Sequence, residues 1–176
     1  MSRSTENAPL PHGGGTNQTL TSSALILFDI GGTLHGYYSD QTCTFALRDS
    51  RIPTQALEKW FLVQTVQQVA ARATKEGPLA RDIDAAARDV IAGEGLGKLF
   101  THRFGHSKWC DISKLLPELV LTGYSGIGLQ MHEAPYLRGG NSVRPSIRNA
   151  FSNEPGIYIP SEVGFPSVAY KALSDT

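Results

Sequence analysis

Cysteine is almost absent from this 176-residue sequence: Cys43 and Cys110 are its only two, and neither stands at a metal-ligand spacing. That excludes a disulfide-framed scaffold and a zinc-finger type of module. Net charge is absent as well, with 16 Lys plus Arg against 16 Asp plus Glu, so no overall field draws the chain to nucleic acid or to anionic lipid. Long hydrophobic runs are missing too. The longest, such as Ala24 to Phe28 and Trp60 to Val63, fall far short of the roughly 20 residues that cross a bilayer. The N-terminal stretch Met1 to Gly15 is polar, carries Pro and Gly, and has no apolar core of a secretory signal. As it stands the chain is expected to be cytoplasmic, and the sequon Asn17-Gln18-Thr19 would matter only in a secreted parent. What is present is enough apolar material for a core, 40% hydrophobic against 18% charged residues, which excludes a wholly disordered chain and predicts one globular unit.

Residues 1 to 22 are rich in Ser, Thr, Asn, Gly and Pro and read as a flexible segment; residues 23 to 176 form the domain. Ala24 to Phe28 is a buried strand in the making, Gly31-Gly32 is expected to turn the chain, and Tyr37 to Leu47 offers a second extended segment. From Thr54 to Glu76, Leu57, Trp60, Phe61, Val66, Val69, Ala70 and Ala73 recur at helical spacing between Pro53 and Gly77. A second helix, about Leu79 to Ala92, aligns Ile83, Ala86, Ala87, Val90 and Ile91 ahead of Gly93 and Gly95. Strand and turn signals return beyond Phe100. Paired strands with two long helices predict an α+β fold, its helices covering one face of a curved, mostly antiparallel sheet.

Asp29 and Asp40 flank the glycine pair eleven positions apart, and His102, His106, His132 and Glu154 follow in strands or turns marked by Gly or Pro. Carboxylates and imidazoles spread in this way suit a divalent Mn, Co or Zn ion, and two such ions can hold a hydroxide and polarise a carbonyl. Singly, each residue has an ordinary explanation: an Asp beside a turn caps it, and a His is surface or satisfied core.

Their order is more specific. Leu27-Phe28-Asp29-Ile30-Gly31-Gly32-Thr33-Leu34 leading to Tyr38-Ser39-Asp40-Gln41-Thr42, then His132-Glu133-Ala134-Pro135 and Glu154-Pro155-Gly156-Ile157-Tyr158, resembles the pita-bread metallopeptidases of the creatinase and aminopeptidase type. Within them the chain is most similar to Xaa-Pro aminopeptidase and prolidase. The resemblance implies a pita-bread α+β fold and hydrolysis of the N-terminal peptide bond of substrates with proline second, by a hydroxide shared between two metal ions, Mn foremost and Co or Zn as alternatives. It implies metal ligands at Asp29, Asp40, His106 and Glu154, with Glu154 doubling as the proton acceptor. His102 and His132 would be catalytic on the substrate side, and His12 and Arg138 would contact the substrate. The partner is then a peptide; nucleic acid and membrane are not expected, and a homodimer stays open.

Two departures from the family pattern stand out. Residues 107 to 125 intervene between His106 and Gly126-Ile127-Gly128-Leu129, where the family runs straight on, so an insertion is expected there, either a translated intron or a surface loop. Further on, counting in register places Val168 where the family has a Glu that bridges both metals, and Glu162 lies six positions early. The second metal site is therefore expected to be impaired and the domain incomplete. The alternative is a catalytically impaired fragment that acts as a binding or dimerising module. Two other enzyme readings fit less well. A phosphatase of the haloacid-dehalogenase type would need a second Asp where Gly31 stands, and the residues around Asp40 and Arg138 look less like methionine aminopeptidase.

Overall fold

The computed structural model describes residues 2–3, 19–74, 77–108, 130–145, 150–159 and 168–171. In chain order the strands are β1 (Ser2–Arg3), β2 (Leu25–Leu34) and β3 (Tyr37–Ala46), followed by helices α1 (Thr54–Ala73) and α2 (Ala80–Gly93). Strands β4 (Gly105–Lys108), β5 (Glu133–Leu137), β6 (Ala150–Phe151), β7 (Gly156–Ile159) and β8 (Val168–Lys171) follow. Every strand pairing is antiparallel, in the orders β1-β2-β3, β5-β4-β6 and β7-β8. Among the described residues no helix is long and apolar enough to cross a membrane.

The first hairpin departs from the expected turn. Gly31 and Gly32 lie inside β2, and the reversal falls at His35-Gly36, whose φ angles are 52° and 84°. Two consecutive residues at positive φ make the tight turn whose twist matches that of the flanking strands. Gly31 is needed for another reason: a Cβ there would stand 2.7 Å from the Ser39 carbonyl oxygen. The glycine thus serves close strand approach rather than chain reversal.

One core joins the layers. Val63, Val66 and Ala70 of α1 meet Ala80, Ile83, Ala87 and Ile91 of α2, together with Leu25, Phe100, Phe104, Leu137 and Ile157. Trp60 packs against this cluster and its indole N–H donates to the Thr44 carbonyl at 3.1 Å. The buried stripe of α1 runs through Val63, Val66, Gln67 and Ala70, so Leu57 and Phe61, counted on the apolar face from sequence, lie exposed. The helix is turned about one position from the expected phase, because residues 63, 66, 67 and 70 are the set that shares one face at 3.6 residues per turn.

Strand alternation now separates two surfaces. Phe104, Leu137 and Ile157 enter the helical core, whereas His106, paired with Tyr136 one residue before Leu137, and Tyr158, one residue beyond Ile157, point to the other side. The helices therefore hold β4, β5 and β7 from behind, while the opposite face carries the ionisable groups. Ser107 and Lys108 continue β4 and pair with Phe151 and Ala150; residues 109–125, the rest of the expected insertion, fall outside the described residues.

Candidate metal centre

The two carboxylates of the first hairpin share a face because of its register. Asp29 opposes Thr42 and Asp40 opposes Gly31, so the aspartates are diagonal neighbours on one side of the ribbon, with Cα atoms about 7–8 Å apart. The Thr42 hydroxyl, fully buried, donates to Asp29 Oδ1 at 3.0 Å and fixes that carboxylate.

His106 is brought to the same place from β4. Its side chain is 1% exposed, and its Nε2 lies 2.8 Å from Glu154 Oε1 and 3.4 Å from Asp40 Oδ2. The segment bearing Glu154 is laced to β4 by Ser152 N–H to the His106 carbonyl at 3.0 Å, His106 N–H to Ser152 Oγ at 3.0 Å, and Glu154 N–H to the Phe104 carbonyl at 3.1 Å. Asn153 Nδ2 donates to the Gln67 carbonyl of α1 at 3.0 Å and anchors the segment from the other side. Gly105 permits this closeness, since a Cβ would stand 2.2 Å from the Ser152 carbonyl oxygen.

His132 completes the cluster. Its ring meets that of His106 edge-on at 4.6 Å between centroids, and one potential ligand atom each from Asp40, His106 and His132 lies within 4.8 Å of the others. Burial, then the neighbouring His106 and the Arg103 charge, lower the His132 pKa below the ordinary histidine value, against the opposing pull of Asp40 and Glu154. At neutral pH the imidazole is therefore neutral, the form in which it can accept a hydrogen bond or donate a lone pair to a cation. Two imidazoles and an adjacent carboxylate at this spacing form a donor set suited to a borderline divalent ion.

The other residues singled out from sequence take different places. His102 directs Nε2 to the Tyr158 hydroxyl at 2.7 Å and Nδ1 to the Arg103 carbonyl, and its ring packs edge-on between Phe100 and Tyr158. Arg138 is exposed, just beyond the end of β5. His12 lies outside the described residues. Val168 opens β8 opposite Ile159.

One support of the site was not anticipated. Asp84, 1% exposed on α2, accepts Arg88 Nε at 2.8 Å and the Phe104 N–H at 3.2 Å, while Arg88 reaches the carbonyls of Phe100 and His102 at 2.9 and 2.6 Å. This clamp holds the loop 100–104 that leads into His106. A carboxylate between Ile83 and Ala87 on an apolar stripe, with an arginine four residues on, was the available signal. Asp84→Ala leaves the buried Phe104 N–H without its acceptor and the Arg88 guanidinium without its carboxylate, held only by the two carbonyls. It should lower stability by about 2–4 kcal/mol, towards the lower end because Arg88 is partly solvated, as measured by urea unfolding.

Antiparallel sheets backed by two helices bring the buried His106 and Glu154, the half-buried Asp40 and the exposed His132 together on the open face, the residue types of a divalent-metal site. Residues 1–120 match Metallopeptidase family M24, and the chain belongs to that family. It is 37% identical over 163 residues to an uncharacterized peptidase of Schizosaccharomyces pombe, covering 90% of this chain and 32% of that protein. It is 36% identical over 160 residues to the Xaa-Pro dipeptidase of Lactobacillus delbrueckii, covering 90% of this chain and 38% of that protein. The solved dipeptidase from Pyrococcus horikoshii superposes with a TM-score of 0.77 at 30% identity, over 97% of this chain and 41% of that one. The fold is accordingly the α+β pita-bread fold, and the chain spans between about a third and two fifths of these relatives' length.

Proposed function

We propose that the chain carries most of the metal centre of a proline-directed dipeptidase or aminopeptidase. The observation that carries this reading is the convergence of Asp40, His106 and His132 within 4.8 Å, with Glu154 2.8 Å from His106, from four separate segments. Asp40, His106 and Glu154 would hold one divalent ion, Mn being the first candidate, and Asp29 with Asp40 would hold a second. When bound, such ions supply an acidified water and a polarised scissile carbonyl.

The protein groups do the rest. Glu154 accepts the proton of the attacking water, a role suited to a carboxylate beside the ligands. His132, neutral and at the open side, hydrogen-bonds the substrate, and His102 supports the same wall through Tyr158. Arg138 and His12 are the sequence-derived candidates for further substrate contact. The preference for proline in the second position follows the Xaa-Pro dipeptidase relative. A weakened second ion site is the accompanying proposal, since residue 168 is Val where the resemblance calls for a bridging Glu. The chain alone would then be a feeble catalyst, or a binding module.

The test is hydrolysis of Ala-Pro against Ala-Ala with added Mn, alongside ion counting. One tightly held ion and very weak, proline-selective turnover are expected. A version with Val168→Glu and without residues 107–125 should retain a second ion and gain at least 10-fold in turnover, since even outer ligand partners are worth about 10–100-fold. An unmodified chain that binds no ion overturns the reading; one that binds two and turns over robustly overturns the weakened second site.

A further inference from the structure

We propose that the outward face of α1 is a docking surface for a second copy of this chain: two copies pack α1 against α1, antiparallel, across a two-fold axis near Thr65.

This face is unlike that of an ordinary solvated helix. Leu57 and Phe61, 38% and 56% exposed, stand one turn apart on it, and Gln64, Thr65 and Gln68 continue it without a charge. The outward positions of α2 include Arg81, Asp82 and Asp89 instead. Both helices back the same core, so what they bury does not account for what they expose. Depletion of charge around an exposed aromatic residue marks the centre of an interface. Phe61 is also held in place, its ring meeting that of Trp60 edge-on at 5.1 Å, and Trp60 is tied to the Thr44 carbonyl. The two residues that helical periodicity assigns to the core are thus apolar on the side open to a partner.

The charges at the two ends of the face identify the occupant. Glu58, Phe61, Thr65, Gln68 and Arg72, all exposed, are spaced alternately three and four residues apart, the seam along which two helices run side by side at a small angle. Thr65 is its midpoint. Antiparallel pairing about Thr65 sets Glu58 against the partner's Arg72 at one end and Arg72 against the partner's Glu58 at the other. Parallel pairing would set glutamate on glutamate and arginine on arginine, so the seam selects the antiparallel two-fold. Within one chain these two side chains stand about 21 Å apart along the helix and cannot meet. Among the described residues neither makes an ion pair. The seam is about 30 Å long and 10 Å wide, roughly 300 Å² from each copy, well under a standard interface. The dimer is accordingly weak, with a Kd of roughly 100 μM.

Sedimentation velocity of the full chain from about 1 μM to 1 mM should show monomer passing into dimer. Phe61→Asp should hold the chain monomeric throughout. Glu58→Arg or Arg72→Glu alone sets like charges together at both ends and should weaken association by about 10-fold. Combining Glu58→Arg with Arg72→Glu restores opposite pairs and should bring the Kd back to within about 3-fold of the wild type. That recovery, with thermal melts of the single variants, separates a lost contact from a lost fold. A dimer that survives Phe61→Asp, or a double variant no better than the single ones, overturns the proposal. So does a monomer at every concentration, which would leave the face to the part of its longer relatives that this chain does not span.

Discussion

His106→Ala should abolish retention of a divalent ion, with affinity falling by more than about 100-fold, beyond the range typical of outer-shell losses. The imidazole is buried between Glu154 and Asp40 at 2.8 and 3.4 Å and against the ring of His132, so its removal deletes a group in contact with all three. The carboxylates left behind then face each other across a cavity, where like charges in a poorly solvated place repel. Two measurements check this. Ion content after exhaustive dialysis should fall to background. The rise in melting temperature on adding metal should vanish as well, because stabilisation by a ligand scales with ligand concentration over its dissociation constant and amounts to about 2.7 kcal/mol at 100-fold excess. His35→Ala, in the exposed hairpin turn, is the matched control and should leave both readouts unchanged. Equal ion content in His106→Ala and wild type would remove His106 from the centre.

Much of this site was legible in the chain because it obeys simple periodicities. Asp29 and Asp40 fall on one face once the strands are paired, and the helices from Thr54 and near Leu79 start within a residue of their expected positions. The hairpin turn was misplaced because glycine has two uses. Gly31 looked like a turn residue but serves close backbone approach, while His35 takes a positive φ that its residue type does not advertise. Glu154 could not be tied to His106 by spacing at all. Its place depends on hydrogen bonds between segments nearly fifty residues apart, and only the likeness to a family tied the two residues to one site. The same limit hid Asp84, whose partners are a helix neighbour and a loop amide twenty positions away. Tyr158 was quoted only as part of a motif. Its link to His102 depends on Gly156, where a Cβ would stand 2.6 Å from the tyrosine ring, and no sequence pattern reports such a contact.

Gly105→Ala should be the most damaging glycine-to-alanine change among the described residues, lowering stability by about 2–3 kcal/mol, the usual cost of overpacking, and ion affinity by at least about 10-fold. The backbone of Gly105 has no positive φ to explain the glycine; the requirement is space. A Cβ would stand 2.2 Å from the Ser152 carbonyl oxygen and 3.4 Å from its hydroxyl, and that oxygen is backbone, which cannot swing aside as a side chain end can. Either β4 moves, which disturbs its pairing of Gly105 with Leu137, or the 152–154 segment retreats. Retreat stretches the bonds from Ser152 and Glu154 to His106 and Phe104, and carries the Glu154 carboxylate away from His106. Stability and ion affinity should therefore fall together, which a simple loss of packing elsewhere in the core would not produce. Gly93→Ala, in the last turn of α2 with open space around its Cβ position, should be neutral or stabilising by up to about 1 kcal/mol and leave the ion untouched. Urea unfolding without metal, paired with calorimetric titration of Mn, reads both quantities on both variants. Unchanged Mn affinity in a destabilised Gly105→Ala would show that the 152–154 segment does not set the position of Glu154.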